Sequence, residues 1–216
     1  MTKNTITQLK KYFTRFQATK YPKGTIIYKP GDKFKHISFV KSGFVRLYIK
    51  NGQQETTVNL FKPLLMVSMV QVMSGLPNNY YIETLTACEI WHAPKEEFLA
   101  YLKEDTKLSD KLMGFFFNSV MQLLNNQANI ISGNATNKVA TVLLQLAFDY
   151  GQVKENHLLV PFPATHRVIA TLIGLTRETT SVQMSKLQKM GVISTKRTSF
   201  TVLSLDKLKK LSLIKN

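Results

Sequence analysis

The side chains best suited to chemistry in this sequence lie in residues 165–193, which read THRVIATLIGLTRETTSVQMSKLQKMGVI. Within this stretch Arg177 and Glu178 follow Thr176 directly, and Ser181 comes three residues later. A guanidinium can donate two parallel hydrogen bonds to O6 and N7 of guanine, and a carboxylate can accept one from N4 of cytosine. Side chains of this kind on the first turn of a helix can therefore recognise base edges in the major groove of duplex DNA.

Two helices separated by a tight turn are predicted to position these side chains. Thr165 and Thr176 can each cap a helix, because a threonine hydroxyl accepts a hydrogen bond from a backbone N–H of the first turn. Between them, Gly174 permits the left-handed backbone that a tight helix–helix turn needs. In the second helix either Thr179 or Thr180 is expected to face inward. The pattern predicts a helix–turn–helix, and the alternative left open is an ordinary helical hairpin within a core.

Phosphate contacts are expected around these base-reading positions. Val182 has no hydrogen-bonding group in its side chain and can contact only the methyl of thymine, whereas Lys186 suits a phosphate. A basic hairpin follows the second helix, and its predicted tip carries the run KRTS at residues 196–199. The predicted DNA-binding residues are Thr165, His166, Thr176, Arg177, Glu178, Thr179, Ser181, Val182, Lys186, Lys196 and Arg197.

The distribution of charge agrees with a nucleic-acid partner. The chain of 216 residues carries a formal net charge of +16, and residues 161–216 hold 10 Lys and Arg against 2 Asp and Glu. This excess falls on the predicted DNA-binding segment, where phosphate neutralisation requires it. Residues 1–50 hold 12 Lys and Arg against Asp32 alone, but no DNA-binding motif accompanies them. For that region we favour a solvated surface over a second phosphate contact.

Composition argues against several other classes of protein. There is no apolar run long enough for a membrane span and no secretory signal, and the single cysteine, Cys88, excludes an internal disulfide, so we expect a cytoplasmic protein. The four histidines share no metal-ligand spacing, and no catalytic triad or phosphate loop is present, so we expect neither an enzyme nor a metal or cofactor. Two alternatives stay open: a β-roll that binds a metal or ligand, and a nonspecific architectural DNA-binding protein.

The predicted fold class is α+β. After an amphipathic helix near the N-terminus, short strands with turns such as Asn51-Gly52 extend to about Pro94 and indicate a β-roll. Helical periodicity follows, and the chain ends in the helix–turn–helix and its basic hairpin. We therefore predict three parts: a β-roll sensor domain at 1–108, a dimerisation helix at 109–133 and a winged helix–turn–helix at 134–216.

The predicted long helix carries apolar residues at alternating steps of three and four, as a helix does when it pairs with a second copy of itself. The interface residues predicted on this spacing are Met113, Phe116, Val120, Leu123, Gln127 and Ile130. Phe115, Phe117, Leu124 and Ile131 supply a second apolar face, so packing against the helix's own domain is also expected. One face would then contact the β-roll, and the other a partner subunit.

The chain from about Tyr21 to Leu211 resembles the Crp/Fnr family of bacterial transcription regulators. LIGLTRETTSVQMSKLQKMGVI is similar to the family's LIGxSRETVSRxLxxLxxxGlI, and two weaker matches, NKVATVLLQLA and TLTACEIWHAPKEEF, precede it. The resemblance implies a β-roll resembling a cyclic-nucleotide-binding jelly roll, with Arg177 and Glu178 as base readers and Thr165, Thr176 and Thr179 as caps or backbone contacts. It also implies double-stranded DNA, a second copy of the chain and RNA polymerase as partners.

The sensor part departs from this family pattern. Where cyclic-nucleotide-binding members have Gly-Glu and Arg-Ser, this chain has Ser68-Met69 and Asn78-Asn79, so we expect no regulation by cyclic AMP. A pocket for a small apolar effector would be lined by Met66, Ser68, Met69, Asn78 and Asn79, although we favour a pocket already filled by side chains. An iron–sulfur cluster would need several cysteines, and this chain has only Cys88, while His36 and His92 leave haem ligation open.

The DNA-binding part also departs from the family pattern, since Val182 stands where many members carry a second base-reading Arg.

Overall fold

The computed structural model describes residues 1–154, 157–197 and 199–214, which fall into two compact units. The N-terminal unit comprises residues 1–51 and 58–122, and the C-terminal unit comprises residues 52–57 and the chain from 123 onward. The predicted fold class, α+β with an N-terminal β-roll, a long helix and a C-terminal winged helix–turn–helix, is confirmed. The division between units lies inside the long helix, and the three-part division at 108 and 133 stays a prediction.

The described elements follow one another in two series. Up to the long helix they are α1 Lys3–Phe13, β1 Ala18–Tyr21, β2 Ile26–Tyr28, β3 His36–Ser42, β4 Val45–Asn51, β5 Gln54–Phe61, α2 Met69–Ser74, β6 Tyr81–Thr84, β7 Cys88–Pro94, α3 Lys95–Glu104 and α4 Thr106–Ser132. The later elements are α5 Ala135–Tyr150, β8 Gln152–Lys154, β9 His157–Val160, α6 His166–Ile173, α7 Arg177–Lys189, β10 Ile193–Lys196, β11 Ser199–Val202 and α8 Leu205–Leu211.

Two sheets form the β-roll, with strand orders β1-β7-β3 and β2-β6-β4-β5. Strands β3 and β7 pair with Phe39 opposite Trp91 and with Val40 opposite Ile90. Since neighbouring residues of a strand point to opposite faces, the two pairs serve different cores. Val40 and Ile90 belong to the core shared by the two sheets, whereas Phe39 and Trp91 belong to the core formed with α1, α3 and the start of α4. Helices therefore cover one face of the β1-β7-β3 sheet.

A glycine is required at the turn between β3 and β4. Gly43 has φ +86°, and a Cβ at this position would collide with the carbonyl of Ala87 and the sulfur of Cys88. Cys88 is buried, its thiol donates to the carbonyl of Phe44 at 3.3 Å, and burial raises its pKa. The single cysteine of the chain is thus part of the packing of the roll.

In the C-terminal unit, the buried helix α5 contacts α6, α7 and α8. The strands of this unit form a sheet in the order β10-β11-β9-β8, and β10 and β11 make the hairpin that was predicted as a wing. Val139, Leu143 and Leu146 of α5 are buried together with Ile169 of α6 and Leu187 of α7. This packing fixes the two helices of the helix–turn–helix on a common core.

Helix α4 begins three residues before its predicted start. Asp105 precedes it, and the carboxylate Oδ1 accepts a hydrogen bond from the backbone N–H of Leu108 at 2.9 Å, which caps the first turn.

Within the described part of the chain, no helix has the length and apolar character needed to cross a membrane. In the same residues, no three His, Cys, Asp or Glu side chains group so that they could hold a metal ion.

Candidate nucleic-acid interface

The turn between α6 and α7 is built by local capping interactions that the sequence predicted. The hydroxyl of Thr165 accepts a hydrogen bond from the backbone N–H of Val168 at 3.2 Å, and that of Thr176 accepts one from Thr179 at 3.1 Å. Gly174 adopts the left-handed conformation, φ +65° and ψ +31°, and the chain then turns back on itself. The direction of α7 is therefore set by residues next to it in sequence.

Helix α7 has one buried face and one solvent-exposed face. Thr180, Met184 and Leu187 are fully buried, which resolves the choice between Thr179 and Thr180 as the inward-facing residue. The hydroxyl of Thr180 donates to the backbone carbonyl of Thr176 at 2.9 Å, so the buried polar group is satisfied within the helix. Arg177 and Glu178 lie on the exposed face, at the end of the helix where the backbone dipole is positive.

The predicted base-reading side chains have no partner elsewhere in the described parts of the chain. Arg177 and Glu178 are exposed and form no hydrogen bond or ion pair with any described residue. Arg167, by contrast, is at the first turn of α6, and its Nη2 lies 3.3 Å from Oε2 of Glu55. Both charged groups at the start of α7 therefore remain available to an external ligand, whereas the guanidinium of Arg167 already has an anionic neighbour.

The other predicted DNA-binding residues lie on α6, on α7 and on the β10–β11 hairpin. Thr165 caps α6 and His166 begins it, with the imidazole half-buried. Thr176 is exposed at the cap of α7, and Thr179 and Ser181 are half-buried on its first two turns. The exposed side chains farther along α7 include Val182, Ser185, Lys186 and Lys189.

The wing is attached directly to α7. The hydroxyl of Thr195 in β10 donates to Oε1 of Gln188 at 2.8 Å, and the N–H of Val192 donates to the carbonyl of Leu187 at 3.0 Å. Lys196 and Arg197 are exposed at the tip, as predicted, while Thr198 lies outside the described residues. The basic tip is thus held in a fixed position relative to the exposed face of α7.

The predicted effector-pocket residues are mostly part of the packed interior of the roll. Met66, Ser68, Met69 and Asn78 are buried, and Asn79 is exposed. The polar side chains among the buried ones are those of Ser68 and Asn78, and both bond within the protein. Ser68 Oγ accepts from the N–H of Ser38 at 3.0 Å, and Asn78 Nδ2 donates to the carbonyl of Tyr80 at 2.9 Å. This arrangement agrees with a pocket filled by side chains.

His92, which the sequence left open as a haem ligand, is engaged by two hydrogen bonds within the roll. Its Nε2 lies 2.9 Å from the hydroxyl of Tyr21 and its Nδ1 lies 3.0 Å from the hydroxyl of Ser38, so both ring nitrogens are engaged. Burial, with a smaller contribution from the nearby His36, lowers the pKa of His92 to about 4. The imidazole is therefore a neutral, hydrogen-bonded part of the roll.

The predicted interface residues of α4 differ in their exposure to solvent. Met113, Val120 and Gln127 are exposed, whereas Phe116, Leu123 and Ile130 are half-buried. Phe116 packs against the core that contains Leu108 and Leu112, so it follows the inward stripe at a spacing of four residues. The outward apolar residues are Met113, Phe117, Val120, Met121, Leu124 and Ile131.

Comparison with known proteins associates both parts of the chain with one kind of protein. A family model of the cyclic nucleotide-binding domain matches residues 18–105, and a model of the Crp-like helix-turn-helix domain matches residues 137–211. The global nitrogen regulator of Nostoc sp. is 23% identical over 185 residues, covering 84% of this chain and 83% of that protein. The CRP-like cAMP-activated global transcriptional regulator of Mycobacterium tuberculosis is 22% identical over 180 residues, covering 83% and 80%.

Solved structures show the same fold over almost the whole chain. FixK2 from Bradyrhizobium japonicum superposes with a TM-score of 0.79 at 18% identity, covering 93% of this chain and 99% of that one. A CooA mutant from Carboxydothermus hydrogenoformans superposes with a TM-score of 0.75 at 22% identity, covering 93% and 89%. At these identities the likeness establishes a common architecture.

Proposed function

Since this chain belongs to the Crp/Fnr family of bacterial transcription regulators, we propose that it binds a palindromic operator as a homodimer and reads bases through the start of α7. The observation that carries the proposal is the exposed pair Arg177 and Glu178, which has no partner among the described residues and lies on a capped helix N-terminus beside a basic wing. A guanidinium and a carboxylate held in this way can recognise guanine and cytosine edges in the major groove.

Phosphate contacts supply the remaining affinity. Lys186 on α7 and Lys196 and Arg197 on the wing are exposed cations around the reading positions. Such contacts position a protein on the duplex without reading its sequence, and they make binding fall as salt rises. Specificity is then assigned to Arg177 and Glu178, and sequence-independent affinity to the wing and the later turns of α7.

A second copy of the chain is the occupant we propose for the outward face of α4. Met113, Phe117, Val120, Leu124 and Ile131 are all exposed, and their spacing alternates between four and three residues with Gln127 completing the series. That spacing is the seam of a two-helix coiled coil. In such a homodimer two copies of α7 would enter successive major grooves about 34 Å apart, which calls for a palindromic site. RNA polymerase is a further partner that this function implies.

We also propose that cyclic AMP does not regulate the protein. A buried phosphate monoanion requires a charge-assisted partner, and at the aligned position this chain has Asn78 and Asn79 in place of Arg and Ser. Asn78 donates to the carbonyls of Lys29 at 2.6 Å and Tyr80 at 2.9 Å, so its amide is engaged in the turn itself. If a small apolar effector binds the roll, it must displace packed side chains such as Met69.

Selection from random-sequence duplexes tests the proposal. The purified protein is mixed with the pool, bound duplexes are recovered over several rounds, and the enriched sequences are competed against random duplex at fixed salt. An enriched palindrome with a preference of at least about 10³-fold is the expected result. Enrichment without a common sequence would instead indicate an architectural DNA-binding protein, which the net charge of +16 also suits. Failure to retain any duplex at moderate salt would refute both.

A further inference from the structure

One aliphatic side chain occupies the exposed face of the reading helix. Val182 is 63% exposed. The residues two positions before and after it, Thr180 and Met184, are fully buried. Two residues correspond to about 200° of rotation in an α-helix, so Val182 points almost directly away from the buried face of α7. Its orientation is thus fixed by the packing of the helix and does not depend on a choice of rotamer.

Val182 is surrounded on this face by groups that bind water or DNA. Glu178 lies one turn before it and Lys186 one turn after it, and both are exposed; Ser185 lies between these two on the same side. A valine here gains nothing from the fold, since its side chain is not packed against the core. When the helix binds DNA, however, the valine side chain loses its contact with water. Its contribution to the free energy of binding then depends on whether the DNA group that it contacts is apolar or polar.

The major groove offers one aliphatic group to such a side chain, the C5 methyl of thymine. At this position a guanine or adenine edge, or the amino group of cytosine, would lose water without gaining a hydrogen bond, which is unfavourable. We propose that Val182 selects a thymine in each half-site by contact with its C5 methyl, next to the base pair that Glu178 contacts. The inference rests on the proposed function, because it requires α7 to lie in the major groove.

Removal of that one methyl group from the DNA tests the inference. In the selected operator each thymine of both half-sites is replaced in turn by deoxyuridine, which lacks only the C5 methyl, and the Kd is measured by fluorescence anisotropy. At one thymine the affinity should fall about fourfold per half-site, the equivalent of about 0.8 kcal/mol for one buried carbon. Cytosine at the same position should regain a similar factor when it is changed to 5-methylcytosine.

Two variants assign the effect to Val182. In Val182→Ala the thymine and deoxyuridine operators should bind equally, whereas in Ser185→Ala, a control on the same exposed face, the fourfold difference should persist. Both side chains are exposed, so circular dichroism should show the native fold in each. A thymine scan without any sensitive position, or an equal sensitivity in Val182→Ala, would overturn the inference while the proposed function stands. Loss of all sequence preference in the unmodified protein would overturn both.

Discussion

Arg177 is the residue whose replacement tests the proposed function most directly. The change Arg177→Ala removes a guanidinium that is exposed and has no partner among the described residues, so the free energy of unfolding should stay the same. The whole cost should therefore appear in the complex with DNA. A bidentate contact to guanine discriminates by about 1–3 kcal/mol, which for two half-sites gives about 2–6 kcal/mol. Affinity for the selected operator should fall by at least about 30-fold.

Specificity is the more informative measurement, because a lost charge weakens binding to any duplex. Affinity for random duplex should change much less than affinity for the operator, so the ratio between them should collapse. Replacing the contacted guanine by 7-deazaguanine, which lacks the N7 acceptor, should weaken the unmodified protein and leave Arg177→Ala unaffected. Fluorescence anisotropy at constant salt measures all of these affinities.

Arg197 provides a matched control for this experiment. It is an exposed Arg in the same unit, at the tip of the wing, and it is expected to contact phosphate. Arg197→Ala should weaken the operator and random duplex by the same factor and should keep the sensitivity to 7-deazaguanine. If Arg177→Ala behaves in the same way as Arg197→Ala, Arg177 is a phosphate contact and the assignment of base readout to it is wrong.

Four further outcomes are expected. Lys196→Ala should weaken all duplexes alike and reduce the slope of log K against log salt by about one unit per subunit; an unchanged slope would remove Lys196 from the interface. Phe117→Asp should yield monomers by light scattering while the control Gln122→Asp remains dimeric, and a dimeric Phe117→Asp would exclude the exposed face of α4 as the interface. Calorimetric titration with cyclic AMP should show no binding, and micromolar affinity would contradict the proposed insensitivity. Burial lowers the pKa of His92 from 6.5 to about 4, so the unfolded chain binds a proton before the folded one does. The free energy of unfolding should therefore be unaffected by this group above pH 6.5 and should fall by up to about 1 kcal/mol per pH unit as pH falls towards 4. His92→Gln should reduce this loss, and an equal loss in His92→Gln would assign it to other groups.

The parts of the site that depend on neighbouring residues were predictable from the sequence. Thr165, Gly174 and Thr176 cap and turn the helices through contacts within a few residues, and the structure has these contacts. Short-range hydrogen bonds and the sign of φ depend on residue type and local spacing, both of which the sequence displays. The positions of Arg177 and Glu178 on the exposed face follow from the same spacing.

Contacts between distant residues could not be predicted from the sequence. Haem ligation by His92 was left open, and in the structure both of its ring nitrogens bond to Tyr21 and Ser38, which lie 71 and 54 positions away. Asn78 was a candidate for lining an effector pocket, with a filled pocket favoured, and its amide bonds to Lys29, which is 49 positions away. Hydrophobic periodicity does not report such pairs, because it describes which face of an element is apolar and not which atoms meet there.

The long helix shows a third kind of limit. Two apolar series along the helix share Met113 and Val120 and differ in whether Phe116 or Phe117 continues them. Neighbouring residues of a helix are rotated by about 100°, so only one of these two phenylalanines can face the helix's own domain. Packing of Phe116 with Leu108 and Leu112 settles the choice and leaves Phe117 outward. The first of these series was predicted as the interface, and the exposed residues favour the second.

Arg177 and Glu178 form no bond with any residue that the structure describes, and this has a consequence for how the protein could change its operator. Neither side chain helps to hold α7 in place, a task left to Thr180, Met184 and Leu187 on the opposite side. Under the proposed function, substitutions of these two residues would change the preferred operator without lowering the free energy of unfolding.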